Sequence, residues 1–155
     1  MLFVGINPGL YSAATGHHFA RPGNRFWPAL HGAGFTGREL HPSEQALLLG
    51  RGYGVTNLVR RTTAAAAELA PGEFVAGRRR LAAKLRRYRP KIVAFLGVGA
   101  YRQAFGAKAV HIGRQPQRIE SAVVWVLPNP SGLNANYQLG AIVALLRELK
   151  RESEA

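Results

Sequence analysis

The chain has 155 residues, of which 21 are Lys or Arg and eight are acidic, every one glutamate, for a formal net charge of +13. That length suits one domain able to bury about two-thirds of its unfolded surface. There is no cysteine, which excludes a disulfide framework or a Cys-x-x-Cys metal site. The apolar runs of about six residues fall far short of the roughly 20 that a membrane helix requires.

The N-terminus lacks the charged, apolar and small-residue layout of a signal peptide, so a soluble, intracellular protein is expected. A strongly basic domain of this size is suited to polyanions, because basic surface releases the counterions of nucleic acid. Charge alone is equally consistent with a solvated, arginine-rich surface.

Leu2–Ile6 is an apolar run that reads as a buried strand, and Asn7-Pro8-Gly9 stops it. Proline biases the preceding residue toward extended geometry, which sets Asn7 at the strand's C-terminal end. Leu10 to Gly23 reads as a long loop, of the kind that in a compact domain is functional or disordered. Asn24 is the expected N-cap of a short helix through Phe26, Trp27 and Leu30. A second helix starts at Pro42-Ser43-Glu44 and ends at Gly50 to Gly52. Tyr53–Thr56 reads as a short strand, with Asn57 beyond its end.

Arg60 to Pro71 is a polar, alanine-rich connection. Phe74, Arg78, Leu81, Leu85 and Tyr88 then mark one stripe of a helix running to Arg89. Lys91–Leu96 is a third strand, and Gly99 to Phe105 a short helix. Gln115 to Ser121 reads as a minor edge strand or a loop. Ala122–Leu127 is the fourth strand, ended by Pro128-Asn129-Pro130-Ser131-Gly132-Leu133, and Tyr137 to Glu152 forms the closing helix. Nearly continuous apolar strands alternating with helices imply a parallel sheet covered on both faces. The expected fold is a three-layer α/β/α sandwich, residues 1–155 as one domain, with a central, mainly parallel four-stranded sheet.

Two strands thus each finish in an Asn-Pro step, and in one parallel sheet both loops open on the same edge, where ligands bind in open α/β folds. A single Asn-Pro step is ordinary turn chemistry. Here it has company. Gly5-Ile6-Asn7-Pro8-Gly9, the Gly16–Trp27 segment ending Asn24-Arg25-Phe26-Trp27, and Asn129-Pro130-Ser131-Gly132-Leu133 resemble, in order and spacing, the mismatch-specific uracil-DNA and thymine-DNA glycosylase family. The likeness runs from Leu2 to the C-terminal helix.

Excising a base means hydrolysing an N-glycosidic bond through a transition state with positive charge on the sugar and negative charge on the departing base. The site must place a water, stabilise the base and exclude other water. The resemblance implies that Asn7 positions that water. A carboxamide holds water without strongly taking its proton, so a slow enzyme is expected. It implies further that Phe19 stacks on the flipped base, in a pocket with Ile6, Gly9, Tyr11 and Asn129. Gly9 leaves room at the pyrimidine C5 position, so substituted bases are expected substrates, and Tyr11 stands where bacterial relatives commonly have a small residue, narrowing the pocket in part. Leu133 matches the wedge that fills the vacated stack, with Gly132 and Asn134 facing the widowed base and Ser131 on the DNA. Ala135 stands where relatives can carry an arginine.

His17 and His18 lack Cys or Asp partners for a metal site and are read as contacts to DNA. Asn57, where some relatives carry lysine, faces the active edge. Glu68 is the only carboxylate in the connection after the second strand and a candidate auxiliary catalyst, and the alanine run 64–67 beside it is a natural place for a substituted polar residue. The Arg78–Lys91 cluster reads most simply as a solvated helix face.

These readings point to a monofunctional glycosylase, because the motif loops contain no lysine to form a Schiff base. It would act on uracil opposite guanine in duplex DNA, as a monomer, without metal, cofactor or membrane. The alternative is a non-catalytic module that binds damaged or structured nucleic acid. An ordered Asn7, Phe19 and Leu133 around one cleft suits only the enzyme.

Overall fold

The strands β1 (Leu2–Gly5), β2 (Gly54–Asn57), β3 (Ile92–Leu96) and β5 (Ala122–Leu127) run parallel, and β4 (Gly113–Ile119) lies antiparallel to β5. The spatial order is β2-β1-β3-β5-β4. These assignments come from a computed structural model that describes residues 1–155. Five α-helices accompany the sheet: α1 (Leu10–Thr15), α2 (Phe26–Gly32), α3 (Pro71–Tyr88), α4 (Val98–Phe105) and α5 (Leu139–Glu154). A 3₁₀ helix spans Pro42–Arg51, and a shorter one Ala66–Glu68.

Successive strand residues point to opposite faces, and each central strand feeds both layers. Phe3, Ile92, Ala94, Leu96, Trp125 and Leu127 pack on α2, the long 3₁₀ helix and α5. Val4, Val93, Phe95, Val124 and Val126 pack on α3 and α4. This double burial explains why β3 and β5 are apolar throughout. Phe95 is fully buried, with Tyr101 and Phe105 at ring-centroid distances of 5.1 and 5.4 Å, and truncating it to alanine costs about 3–5 kcal/mol.

The sheet has five strands where the sequence pattern gave four. Gly113–Ile119 reads Gly-Arg-Gln-Pro-Gln-Arg-Ile, with proline at its centre. Proline is admitted at a sheet edge, where one side needs no ladder partner, and the register shifts between Arg114 and Arg118 around it. The Leu10–Gly23 stretch is not all loop, since its first part is α1, which buries no residue and therefore lacks an apolar stripe. Gly16, at φ 74°, closes that helix in the left-handed region. The helix α3 begins at Pro71, earlier than its apolar stripe, with proline in the first turn.

Candidate active site

Parallel pairing carries the ends of β1, β2, β3 and β5 to one edge of the sheet. There a cleft of about 310 Å³ opens, lined by Ile6, Asn7 and Gly9 after β1, Asn57 after β2, Thr63 to Ala66 in the following loop, and Asn129, Ser131 and Leu133 after β5. Ser12, His18, Phe19, Arg21 and Asn24 complete the wall. No carboxylate and no lysine lines this cleft.

Asn7 is held by its amide nitrogen. Nδ2 donates to the Arg61 carbonyl at 2.8 Å and to Thr63 Oγ1 at 2.8 Å. A carbonyl oxygen can only accept, so the amide nitrogen must be the group facing Arg61. Thr63, itself buried, donates its hydroxyl proton to the Ala65 carbonyl at 2.8 Å, which leaves its oxygen to accept from Asn7. Both amide protons are thereby committed, and Oδ1 remains as an acceptor.

Behind Arg61 stands a second tier. Its guanidinium pairs with Glu73 (Nε to Oε1 2.7 Å, Nη2 to Oε2 3.1 Å) and donates to the Glu68 carbonyl at 2.9 Å. Glu73 also receives the Ala70 N–H at 2.8 Å. First the Arg61 hydrogen bonds, then that N–H, lower the Glu73 carboxyl to about 2. Glu68 does not line the cleft, and its carboxylate receives the Ala65 N–H at 2.7 Å. In place of an acid, the loop presents Ala64, Ala65 and Ala66 to the cleft.

The opposite wall is aromatic. Phe19 adopts φ 51°, an uncommon value for a residue with a bulky side chain, and its ring packs on Phe26 with centroids 4.3 Å apart. The absence of a side chain at Gly5 makes this possible, because a Cβ there would lie 2.7 Å from Asn57 Oδ1 and 3.1 Å from the Phe19 ring. At Gly9 an added Cβ would meet nothing within 4 Å. Tyr11 does not line the cleft: it sits on α1, 49% exposed.

His18 lines the cleft. Its N–H donates to Gln45 Oε1 at 2.8 Å and its carbonyl accepts from Trp27 Nε1 at 3.0 Å. Burial, and secondarily the charge of Lys84, lowers the His18 pKa and favours the neutral ring. His17 instead borders a side cavity of about 220 Å³ shared with Pro8, Ser12 and Asn57, and its Nδ1 is buried without a partner. No group of three or more His, Cys, Asp or Glu stands together to hold a metal ion.

The loop after β5 is built from local turns. Asn129 Oδ1 accepts the Ser131 N–H at 2.9 Å, Ser131 Oγ accepts the Leu133 N–H at 3.2 Å, and Asn134 Nδ2 donates to the Asn129 carbonyl at 3.0 Å. Arg25 Nη1 then gathers the carbonyls of Asn134 at 2.9 Å and Tyr137 at 2.8 Å, and the Arg25 N–H donates to Pro130 at 2.8 Å. Leu133 is left 74% exposed at the cleft rim. Gly132 and Asn134 do not line the cleft. Gly132 faces a smaller cavity with Arg21 and Arg25.

Thr63, Arg61 and Arg25 carry this geometry and were not singled out as site residues by the sequence. The available signal for Thr63 was its place just after β2, on the edge where parallel strands end. Asn24 was the expected N-cap of α2, but Arg25 holds that position without a side-chain cap; Asn24 stands one residue earlier, its Oδ1 accepting the Phe26 N–H at 2.9 Å.

The three-layer domain thus delivers two Asn-Pro loops, on parallel strands, to one cleft. The sequence model of the Uracil DNA glycosylase superfamily matches residues 1–150. The chain belongs to that superfamily, with a DNA glycosylase hydrolase activity of the uracil-DNA glycosylase type.

Proposed function

We propose that the protein is a monofunctional, mismatch-specific glycosylase that removes uracil, and C5-substituted pyrimidines, from duplex DNA opposite guanine. The observation that carries this reading is the fixed amide of Asn7, whose two protons are taken by Arg61 and Thr63. Oδ1 then accepts a hydrogen bond from a water and aims its oxygen at the sugar. That oxygen forms a bond to C1′ as the C1′–N1 bond breaks, the base leaves with the electron pair, and a water proton passes to solvent. Preorganisation rather than strong general-base catalysis lowers the barrier.

The base lies against Phe19. Asn129, with Oδ1 held by the Ser131 N–H, offers its amide protons to the base's polar edge. Leu133 enters the stack that the nucleotide has left, and the protein works as a monomer. Without a lysine along the cleft, no Schiff base forms with the sugar.

The test is alkaline scission of an end-labelled duplex containing a single G·U pair after incubation with the protein. Strand breakage at the uracil is expected, and it persists in EDTA. Duplex binding with no breakage at that site would leave the protein a binding module and remove the catalytic reading.

A further inference from the structure

Two arginines of α3 have partners away from β2: Arg86 Nη1 pairs with Glu120 at 2.9 Å, and Arg78 donates to the Ala104 carbonyl at 3.4 Å with its guanidinium over the Phe105 ring. Another side lies against β2, and the contacts run in opposite chain directions. Glu73 meets Arg61, Gly77 meets Leu58, and Lys84 meets Thr56. A Cβ at Gly77 would fall 2.2 Å from the Leu58 carbonyl oxygen, so only glycine allows this approach.

That packing gathers Arg60, Arg80 and Lys84 along the edge strand. Arg80 Nη2 reaches the Leu58 carbonyl at 3.5 Å, and Lys84 Nζ donates to Thr56 Oγ1 at 2.7 Å. Arg60 and Arg80 share a surface cavity of about 210 Å³ with Arg61 and Glu73. Glu73 is taken by Arg61, and none of the three cations forms one of the five ion pairs. Burial, then the charges of Arg60 and Arg80, lower the Lys84 pKa. Like charges held together without a counterion oppose folding, which marks the cluster as something other than a stabilising network. It adjoins Asn57, the cleft residue at the end of β2.

We infer that Arg60, Arg80 and Lys84 form a phosphate-binding tract on the β2 flank, which receives the sugar–phosphate backbone of duplex DNA beyond the nucleotide held in the cleft. The inference rests on the reading of the protein as one that acts on duplex DNA. It divides the basic face of α3 into a DNA-binding part and a solvated part.

The experiment is to measure duplex binding across a range of KCl concentrations. The double variant Arg60→Gln/Arg80→Gln, and the triple with Lys84→Gln, should each lose about 0.9 in the slope of log Kd against log[salt] per contact removed. Arg86→Gln, with the same charge change on the same helix, should keep the parent slope. Thermal stability of the double variant should match or exceed the parent's, which separates a lost contact from a folding defect. A double variant with the parent's slope would overturn the tract. A parent with no salt-dependent duplex binding would instead overturn the glycosylase reading beneath it.

Discussion

Thr63 Oγ1 lies 2.8 Å from Asn7 Nδ2 and gives its own proton to Ala65, so the hydroxyl acts on Asn7 purely as an acceptor. Asn7→Ala should abolish base release while leaving duplex affinity nearly intact, because in the proposed mechanism the residue holds water rather than DNA. Thr63→Val leaves one amide proton of Asn7 without its partner, a loss of about 1–3 kcal/mol. If that loss appears in the transition state, kcat falls about 5- to 150-fold, and Thr63→Ser should restore it. Single-turnover excision of G·U duplexes checks both, and an Asn7→Ala variant as fast as the parent would remove Asn7 from the reaction.

In the proposed mechanism, space at Gly9 sets the range of bases. A Cβ there would meet no atom within 4 Å, so Gly9→Tyr should fold and narrow the cleft. The parent should release 5-substituted uracils along with uracil, and the variant should lose the substituted ones first. Parallel excision assays on duplexes with matched flanks read this. A parent confined to unsubstituted uracil would locate the screen elsewhere than at Gly9 or at Tyr11, which does not line the cleft.

Leu133 carries no charge, so Leu133→Ala should leave the salt dependence of binding unchanged. In the proposed mechanism it replaces part of the few kcal/mol of stacking lost when a nucleotide leaves the duplex. Excision from duplex G·U should therefore fall far more than excision from single-stranded uracil. Equal impairment on both substrates would give the residue a role in packing instead.

The Arg61–Glu73 pair ties acid stability to the site. The folded Glu73 carboxyl is lowered to about 2 from an ordinary 4.5, so its contribution is complete above 4.5 and is lost as pH falls toward 2. Glu73→Gln should flatten that part of the acid limb in a plot of Tm against pH. Because Arg61 offers its carbonyl to Asn7, the same variant should also slow base release near neutral pH without weakening DNA binding. An unchanged rate would uncouple the pair from the site.

Much of this site was legible because local turn chemistry fixes it. Asn7-Pro8-Gly9 and Asn129-Pro130-Ser131 end apolar strands, and a parallel sheet brings such ends together whatever lies between. What orients Asn7 was hidden, since its partners are separated from it by 54 and 56 residues and one is a backbone carbonyl. Glu68 looked available because it is the lone acid of its stretch, but the chain uses it on the Ala65 N–H three residues back. Tyr11 was placed in the pocket by the family resemblance, but it lies in α1, 49% exposed, and does not line the cleft. The strand β4 was legible only as one of two readings of Gln115 to Ser121, an edge strand or a loop, because its proline and polar residues are ones that an edge tolerates and a central strand does not.

The bare backbone at Gly5 has a consequence for how this gene tolerates change. Phe19 and Asn57, on opposite walls of the cleft, approach the same point in space, the one a Cβ on Gly5 would occupy. A single added methyl group would push the aromatic wall and the amide wall apart at once. In a saturation library Gly5 should thus rank beside Asn7 in intolerance, although it lies within β1 and outside the residues that line the cleft.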